Sequence, residues 1–387
     1  MKEKHNFKYV CWILIASFYL LENCIQVSQN VLTNMMQNTL NLHDTAFSTV
    51  VACYFWGYSF AQIPAGMLLD KFGLKKPLVI SLLICGLGTV LLSQAEGFYS
   101  ILTFRTAIGV VSAFAALSVL NYTASKFDDN KFATLTGLML TIGMFGQIFG
   151  EAPLHYLAIS YGWRNCILFL GLSALVLTLL NTIVLKPEKT VSSNVKMDFQ
   201  SALSSKNIWY LAIYGMLRFT PFLLLVTYWG NPLMHKIHGF SDTTSSEIIS
   251  MIPLGFAIGA PIWGRISDKM QSRMPGLLAS NILEIGFWIL LLVKFNQIGI
   301  SIIALALGFT VSGFLPAFTI MKEIAPKEIR TTALGFMNTL NSIGTPMAMP
   351  ILAYLAKSLS ASKTLMILPG ITFCAIIVFL LIGKTNK

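Results

Sequence analysis

Gly66-Met67-Leu68-Leu69-Asp70-Lys71-Phe72-Gly73-Leu74-Lys75-Lys76 joins two long apolar runs through a connection of only a few residues. An acid and a base close the first run, two bases open the second, and Gly73 between them permits a left-handed turn that reverses the chain at once. The flanking runs, 47–69 and 77–92, are about as long as a helix needs to cross a bilayer. Segments joined by so short a turn must run antiparallel, and the same alternation continues along the chain in both directions.

Of the 387 residues, 55% are apolar and only 11% charged, and the mean hydropathy is +0.70. A soluble domain carries about 25% charged residues; this chain cannot coat a compact water-facing surface, which excludes a soluble enzyme. Twelve apolar segments are expected, at 9–31, 47–69, 77–92, 99–120, 133–156, 165–185, 208–229, 248–266, 276–293, 298–320, 332–355 and 365–382. The expected fold is an all-α polytopic membrane protein of twelve transmembrane helices. Lys and Arg divide 20 to 5 between the two sides of these segments, so both termini are expected in the cytoplasm. That bias accounts for most of the net charge of +11, which therefore does not mark a nucleic-acid surface. The six cysteines fall in or beside apolar runs with no C-x-x-C pair, suggesting neither a disulfide framework nor a metal site. The run from Tyr9 reads as a retained first helix. Compact loops point to a bacterial inner membrane.

The chain also repeats itself. Gly264-Arg265-Ile266-Ser267-Asp268-Lys269 matches Gly66 to Lys71 at an offset of 198 residues, and the same offset pairs Gly57 with Gly255, Gly137 with Gly335, Gly146 with Gly344, and Lys75 with Arg273. The organisation expected is an N-terminal six-helix half at 1–189, a cytoplasmic linker at 190–206 and a C-terminal six-helix half at 207–387.

The stretch from Gly66 to Lys76 resembles the loop signature G-x-x-x-D-[RK]-x-G-[RK]-[RK] of the major facilitator superfamily. Arg105 followed by Gly109 is similar to that family's R-x-x-x-G element. Gly143, Gly146 and Gly150 before Pro153 resemble its glycine-rich helix, and Gly162-Trp163-Arg164 is another shared feature. Gln271 stands where the second-half turn glycine would be. The resemblance implies two pseudo-symmetric halves, alternating access, and a central cavity lined mainly by spans 1, 4, 7 and 10. It also implies a conformational lock from Gly66, Asp70, Lys71, Gly73 and Lys75, matched in the second half by Asp268, Lys269 and Arg273. Physically, Asp70 at a helix end can accept hydrogen bonds from basic neighbours or from the N-terminus of a helix in the other half.

Five ionisable residues fall inside the expected spans: Glu22, Arg105, Glu151, Arg218 and Glu284. Such residues are costly in a bilayer and are functional candidates by default. Depth along the spans sets Glu22 against Arg218 and Arg105 against Glu151, either as static pairs or as a binding and coupling set. In the second case Arg218 receives an anionic group and Glu22 carries a proton. Glu284, in a peripheral span, is expected to serve packing or to snorkel. Glu22, Gln26, Gln29 and Asn30 form one polar face of span 1; Tyr214, Asn338 and Asn341 add hydrogen-bonding groups. Pro221, Pro316, Pro346 and Pro350 are expected kinks.

The function expected is secondary transport of a small anionic or zwitterionic solute, such as an organic acid, amino acid or short peptide, by a proton-coupled monomer without cofactor. Export of a siderophore or drug by antiport is the alternative. Arg218→Ala is expected to abolish transport of an anionic substrate and leave the fold intact.

Overall fold

The computed structural model describes residues 2–42, 44–150, 152–187, 203, 205–270 and 273–385. Glu151, Gln271, most of the linker expected at 190–206, and the side chain of Asn30 lie outside the described residues. Among the described residues the chain is helical throughout, with no strand. The helices are α1 (Lys2–Leu40), α2 (Asp44–Phe72), α3 (Lys75–Ser93), α4 (Phe98–Lys126), α5 (Phe132–Gly150), α6 (Ala152–Tyr161), α7 (Trp163–Val184), α8 (Lys206–Leu224), α9 (Gly230–His238), α10 (Asp242–Lys269), α11 (Met274–Leu290), α12 (Gln297–Val311), α13 (Pro316–Ile324), α14 (Arg330–Ser358) and α15 (Ala361–Thr385). Among the described residues, eight helical stretches are long and apolar enough to cross a membrane.

A helix satisfies its backbone donors and acceptors internally, which apolar surroundings demand. The outward faces confirm the surroundings for which these helices are built. On α7, Phe169, Leu172, Val176, Leu179 and Ile183 recur at helical spacing and are all exposed, Ile183 to 71%. Water would penalise such a stripe; lipid does not. Between α2 and α3 the chain turns at Gly73, whose φ of 73° is a conformation that side chains resist.

Two of the proline expectations can be read directly. Beyond Pro221, α8 passes into a π-helical turn at Leu225–Trp229. Span 10 breaks into a 3-10 turn at Ser312–Phe314 just before Pro316. By contrast α14 is a single helix through Pro346.

The chain divides into two compact units. Unit 1 comprises 1–127, 142–199 and 327–335, with α2 packed on α4 and α3 on α7. Unit 2 comprises 128–141, 200–326 and 336–387, with α10 packed on α12, and α15 on α8 and α11. The first turns of α14 thus belong to unit 1, and the first half of α5 to unit 2.

Candidate functional site: two buried charge clusters and two helix-end carboxylates

In unit 1, Tyr54 of α2 connects two of the expected charges. Its hydroxyl donates to Glu22 Oε1 at 2.6 Å, and the Arg105 guanidinium lies 4.6 Å from its ring centroid. Asn23 donates to Glu22 Oε2 at 3.0 Å and accepts from Gln147 at 3.1 Å. Arg105 donates to the main-chain carbonyls of Ile25 and Gln26, at 3.2 and 3.5 Å, while its Nε has no partner among the described residues. Glu22 and Arg105 are both buried; Gln26 is half-buried. The cluster depends on the approach of α4 to α2 at Gly109, where a Cβ would collide with the backbone of Tyr54. Depth alone set Arg105 against Glu151, whereas the groups seen around it come from α1 and α2.

In unit 2 the structure corrects the expectation for Arg218 and Glu284. Arg218 Nη1 lies 2.5 Å from Glu284 Oε2, with both side chains fully buried. Glu284 therefore does not snorkel to the interface but is packed inside as a partner of Arg218. Its Oε1 accepts from Trp288 and Thr372, both at 3.2 Å. Asn281 accepts from Arg218 Nη1 and donates to the Tyr214 hydroxyl at 3.0 Å. Arg218 Nη2 reaches the carbonyls of Thr310 and Val311 at 3.2 and 3.3 Å. Those carbonyls end α12 where span 10 breaks; Leu315 N donates instead to Ser312, and Pro316 has no N–H to offer. Arg218 thus ties α8 to the break in span 10, and Glu284 on α11 compensates its charge. Depth had matched Arg218 with Glu22 because depth carries no information about which helix face a residue occupies. Asn341 is buried on α14 with its Oδ1 over Gly215, and Asn338 is half-buried on the same helix.

The repeat reappears as geometry. Asp70, ending α2, accepts from Thr331 N at 3.2 Å, Thr332 N at 2.7 Å and Thr332 Oγ1 at 2.7 Å. Asp268, ending α10, accepts from Ala133 N at 3.1 Å, Thr134 N at 2.7 Å and Thr134 Oγ1 at 2.6 Å. In each case a carboxylate meets the unpaired N–H groups at a helix N-terminus, of α14 in unit 1 and of α5 in unit 2. Gly66 and Gly264 make this approach possible, since a Cβ on Gly66 would stand 2.6 Å from Thr332 Cα and one on Gly264 2.7 Å from the Ala133 carbonyl carbon. Thr134 and Thr332 escaped the sequence reading although they are separated by the same 198 residues, a register that would have found them. Burial pushes the Asp70 carboxyl above the usual carboxylate range, and its hydrogen bonds to Thr331 and Thr332 pull it back only in part. The contact is therefore made against a desolvation cost.

Of the other expected lock residues, Arg273 bridges Glu323 at 2.8 Å, lies 4.0 Å from Asp268, and donates to the Ser267 carbonyl. Lys71 and Lys269 are exposed. Lys75 lines a cavity within unit 1. Lys322, counted above only for its charge, is buried, with Nζ 2.6 Å from Asp129 and 4.3 Å from the Phe132 ring centroid.

A helical membrane chain with buried charge clusters and carboxylates set on helix ends has the make-up of a transporter. Residues 12–252 and 211–387 match the Major Facilitator Superfamily profile, and the chain belongs to that superfamily of membrane transporters. It is 22% identical to the Bacillus subtilis protein named "Probable galactarate/D-glucarate transporter GudP", over 98% of this chain and 93% of the relative. It is likewise 22% identical to the Escherichia coli "Sialic acid transporter NanX", over 81% of this chain and 79% of the relative. The crystal structure of FucP, from E. coli, in the outward conformation superimposes with a TM-score of 0.79 at 14% identity, covering 98% of this chain and 99% of that one.

Proposed function

We propose that this chain carries a small carboxylate-bearing solute, of the sugar-acid or organic-acid class, across a bacterial inner membrane by alternating access coupled to protons. In this reading twelve helices cross the membrane, both termini are cytoplasmic, and the units of the conformational cycle are the two six-helix halves. The observation that carries it is the Glu22–Tyr54–Arg105 cluster. Neutral groups hold Arg105 among the described residues, and one N–H remains unmet; a guanidinium so placed favours an arriving carboxylate. Glu22 shares Tyr54 with it, so a carboxylate arriving at Arg105 would perturb the carboxyl that carries the proton. Arg218 already has Glu284 and is a weaker candidate to receive an anion. The names borne by the galactarate/D-glucarate and sialic acid relatives support an acidic substrate.

The Asp70 and Asp268 contacts fit the cycle as latches. Each joins a helix of one sequence half to the first turn of a helix of the other, so they break and re-form as the halves move.

Uptake of labelled D-glucarate and galactarate into proteoliposomes, with and without an acid-outside gradient, tests the reading. Wild-type protein is expected to accumulate at least one of them, and a protonophore to abolish accumulation. Glu22→Gln is expected to lower gradient-driven accumulation at least tenfold and to retain solute exchange without a gradient; Arg105→Ala is expected to lose both. Accumulation that ignores the protonophore, or survives in Glu22→Gln, would overturn proton coupling through Glu22. Failure of every carboxylate in a wider panel would overturn the substrate class.

A further inference from the structure

Helix α5 (Phe132–Gly150) runs without interruption from the Asp268 contact to the surroundings of Glu22. At its start Ala133 and Thr134 donate to Asp268; about 20 Å further along, at 1.5 Å per residue, Gln147 donates its amide to Asn23. Close approach grips the helix along both halves. In unit 2, Thr141 Oγ1 donates to the Ala257 carbonyl at 2.7 Å, and a Cβ on Gly137 would collide with the Ala260 carbonyl of α10. Lys322 Nζ, 2.6 Å from Asp129, holds the turn that leads into α5. In unit 1, a Cβ on Gly146 would collide with the Leu20 carbonyl of α1, and one on Gly150 would stand 2.6 Å from the Cys24 carbonyl oxygen. A rigid helix held so closely transmits a displacement of its start to Gln147.

Asn23 is where that displacement would be felt. It is buried, and its amide is engaged on both sides. The NH2 donates to the Tyr19 carbonyl at 2.8 Å and to Glu22 Oε2 at 3.0 Å, while Oδ1 accepts from Gln147 at 3.1 Å. The bond from Gln147 fixes which way round the amide sits, because an occupied Oδ1 leaves the NH2 to face the carboxyl. If Gln147 withdraws, a buried acceptor loses its donor; that is costly, so the amide turns to find another and its grip on Glu22 loosens. Glu22 Oε1 is held separately, by Tyr54.

We propose that Asn23 and Gln147 are positioning residues for the Glu22 carboxyl, and that α5 makes their hold depend on the Asp268 contact. With the contact closed, Gln147 orients Asn23 onto Glu22; with it open, the orientation is lost. On the reading of Glu22 as the proton-carrying group, on which this rests, α5 is the route by which the proton site senses the latch.

Infrared difference spectroscopy of the full chain in lipid bilayers reads the Glu22 carboxyl without any solute, since the C=O band of a protonated carboxyl rises in frequency as its hydrogen bonds are lost. The band in question is the one that Glu22→Gln removes. Gln147→Leu is expected to raise its frequency, and Asp268→Ala to raise it by a smaller amount. Adding Asp268→Ala to Gln147→Leu is expected to change nothing further, because the relay is already cut. Lys322→Met, which frees the turn before α5, is expected to act in the same direction as Asp268→Ala and keeps the distant arm readable if that variant misfolds. A band that ignores Gln147→Leu, that ignores both distant variants, or whose shifts add in the double variant would overturn the relay and leave proton carriage by Glu22 standing. Absence of any band sensitive to Glu22→Gln, down to the lowest pH at which the fold survives, would instead overturn proton carriage and the relay with it.

Discussion

Arg218→Ala is expected to destabilise the protein by about 3 to 5 kcal/mol, because it strips a buried carboxylate of the counter-charge it has among the described residues. Glu284 is fully buried, and its Oε2 makes no contact other than the ion pair among the described residues. The same substitution releases the carbonyls of Thr310 and Val311 at the break in span 10. For a unit of this size that loss corresponds to roughly 6 to 20 °C in melting temperature. Differential scanning fluorimetry in detergent should show it directly. Transport would fall as well, but as a consequence of lost structure; the expectation of an inactive yet intact protein, read from the sequence, does not survive the packing. The companion variant Arg218→Met/Glu284→Leu separates the two causes. Removing both charges of a buried pair is often close to neutral, so the double variant should recover most of the stability. A melting temperature for Arg218→Ala within 2 °C or so of wild type would show that Glu284 finds compensation elsewhere.

That reversal marks where the sequence stops being readable. The lock stretch was legible because its chemistry is local: Gly73 turns the chain, Asp70 ends a helix, and both sit beside apolar runs whose lengths declare themselves. The repeat was legible because a fixed register of 198 residues carries Gly66 onto Gly264 and Asp70 onto Asp268. The same register carries Thr134 onto Thr332, the partners of those carboxylates.

The pairing of buried charges was not legible from depth. Which helix lies beside which is a tertiary fact, and α8 meets α11 and α12 through side chains that no spacing along α8 announces. Yet α11 did carry a sign. Asn281, Glu284 and Trp288 recur at helical spacing on one face, and a polar stripe on an otherwise apolar helix asks for a buried partner. Such a stripe places Glu284 inward, just as Glu22 and Gln26 mark the polar face of α1.

Asp70→Ala is expected to shift the conformational balance of the transporter rather than its overall stability. The carboxylate accepts two main-chain N–H bonds and one hydroxyl bond at the start of α14, where the helix end favours negative charge. Hydrogen bonds to a charged group typically contribute about 1.5 to 3 kcal/mol each. Burial raises the Asp70 pKa despite those bonds, so desolvation is a large opposing term. Removing the carboxylate leaves the Thr331 and Thr332 N–H groups without that acceptor in the latched state, so the balance moves toward the unlatched one. Asn121 reports on the same place, since it donates to Thr331 Oγ1 at 2.7 Å and is only half-buried. With the native cysteines replaced and Asn121→Cys introduced, labelling by a membrane-impermeant maleimide in inside-out vesicles should rise at least tenfold when Asp70→Ala is added. Asp268→Ala, which opens the matching contact on α5, should produce a rise in the same direction. A labelling rate unchanged by Asp70→Ala would mean that the first turn of α14 is held by packing at Gly66 alone, and that the carboxylate does no more than cap a helix.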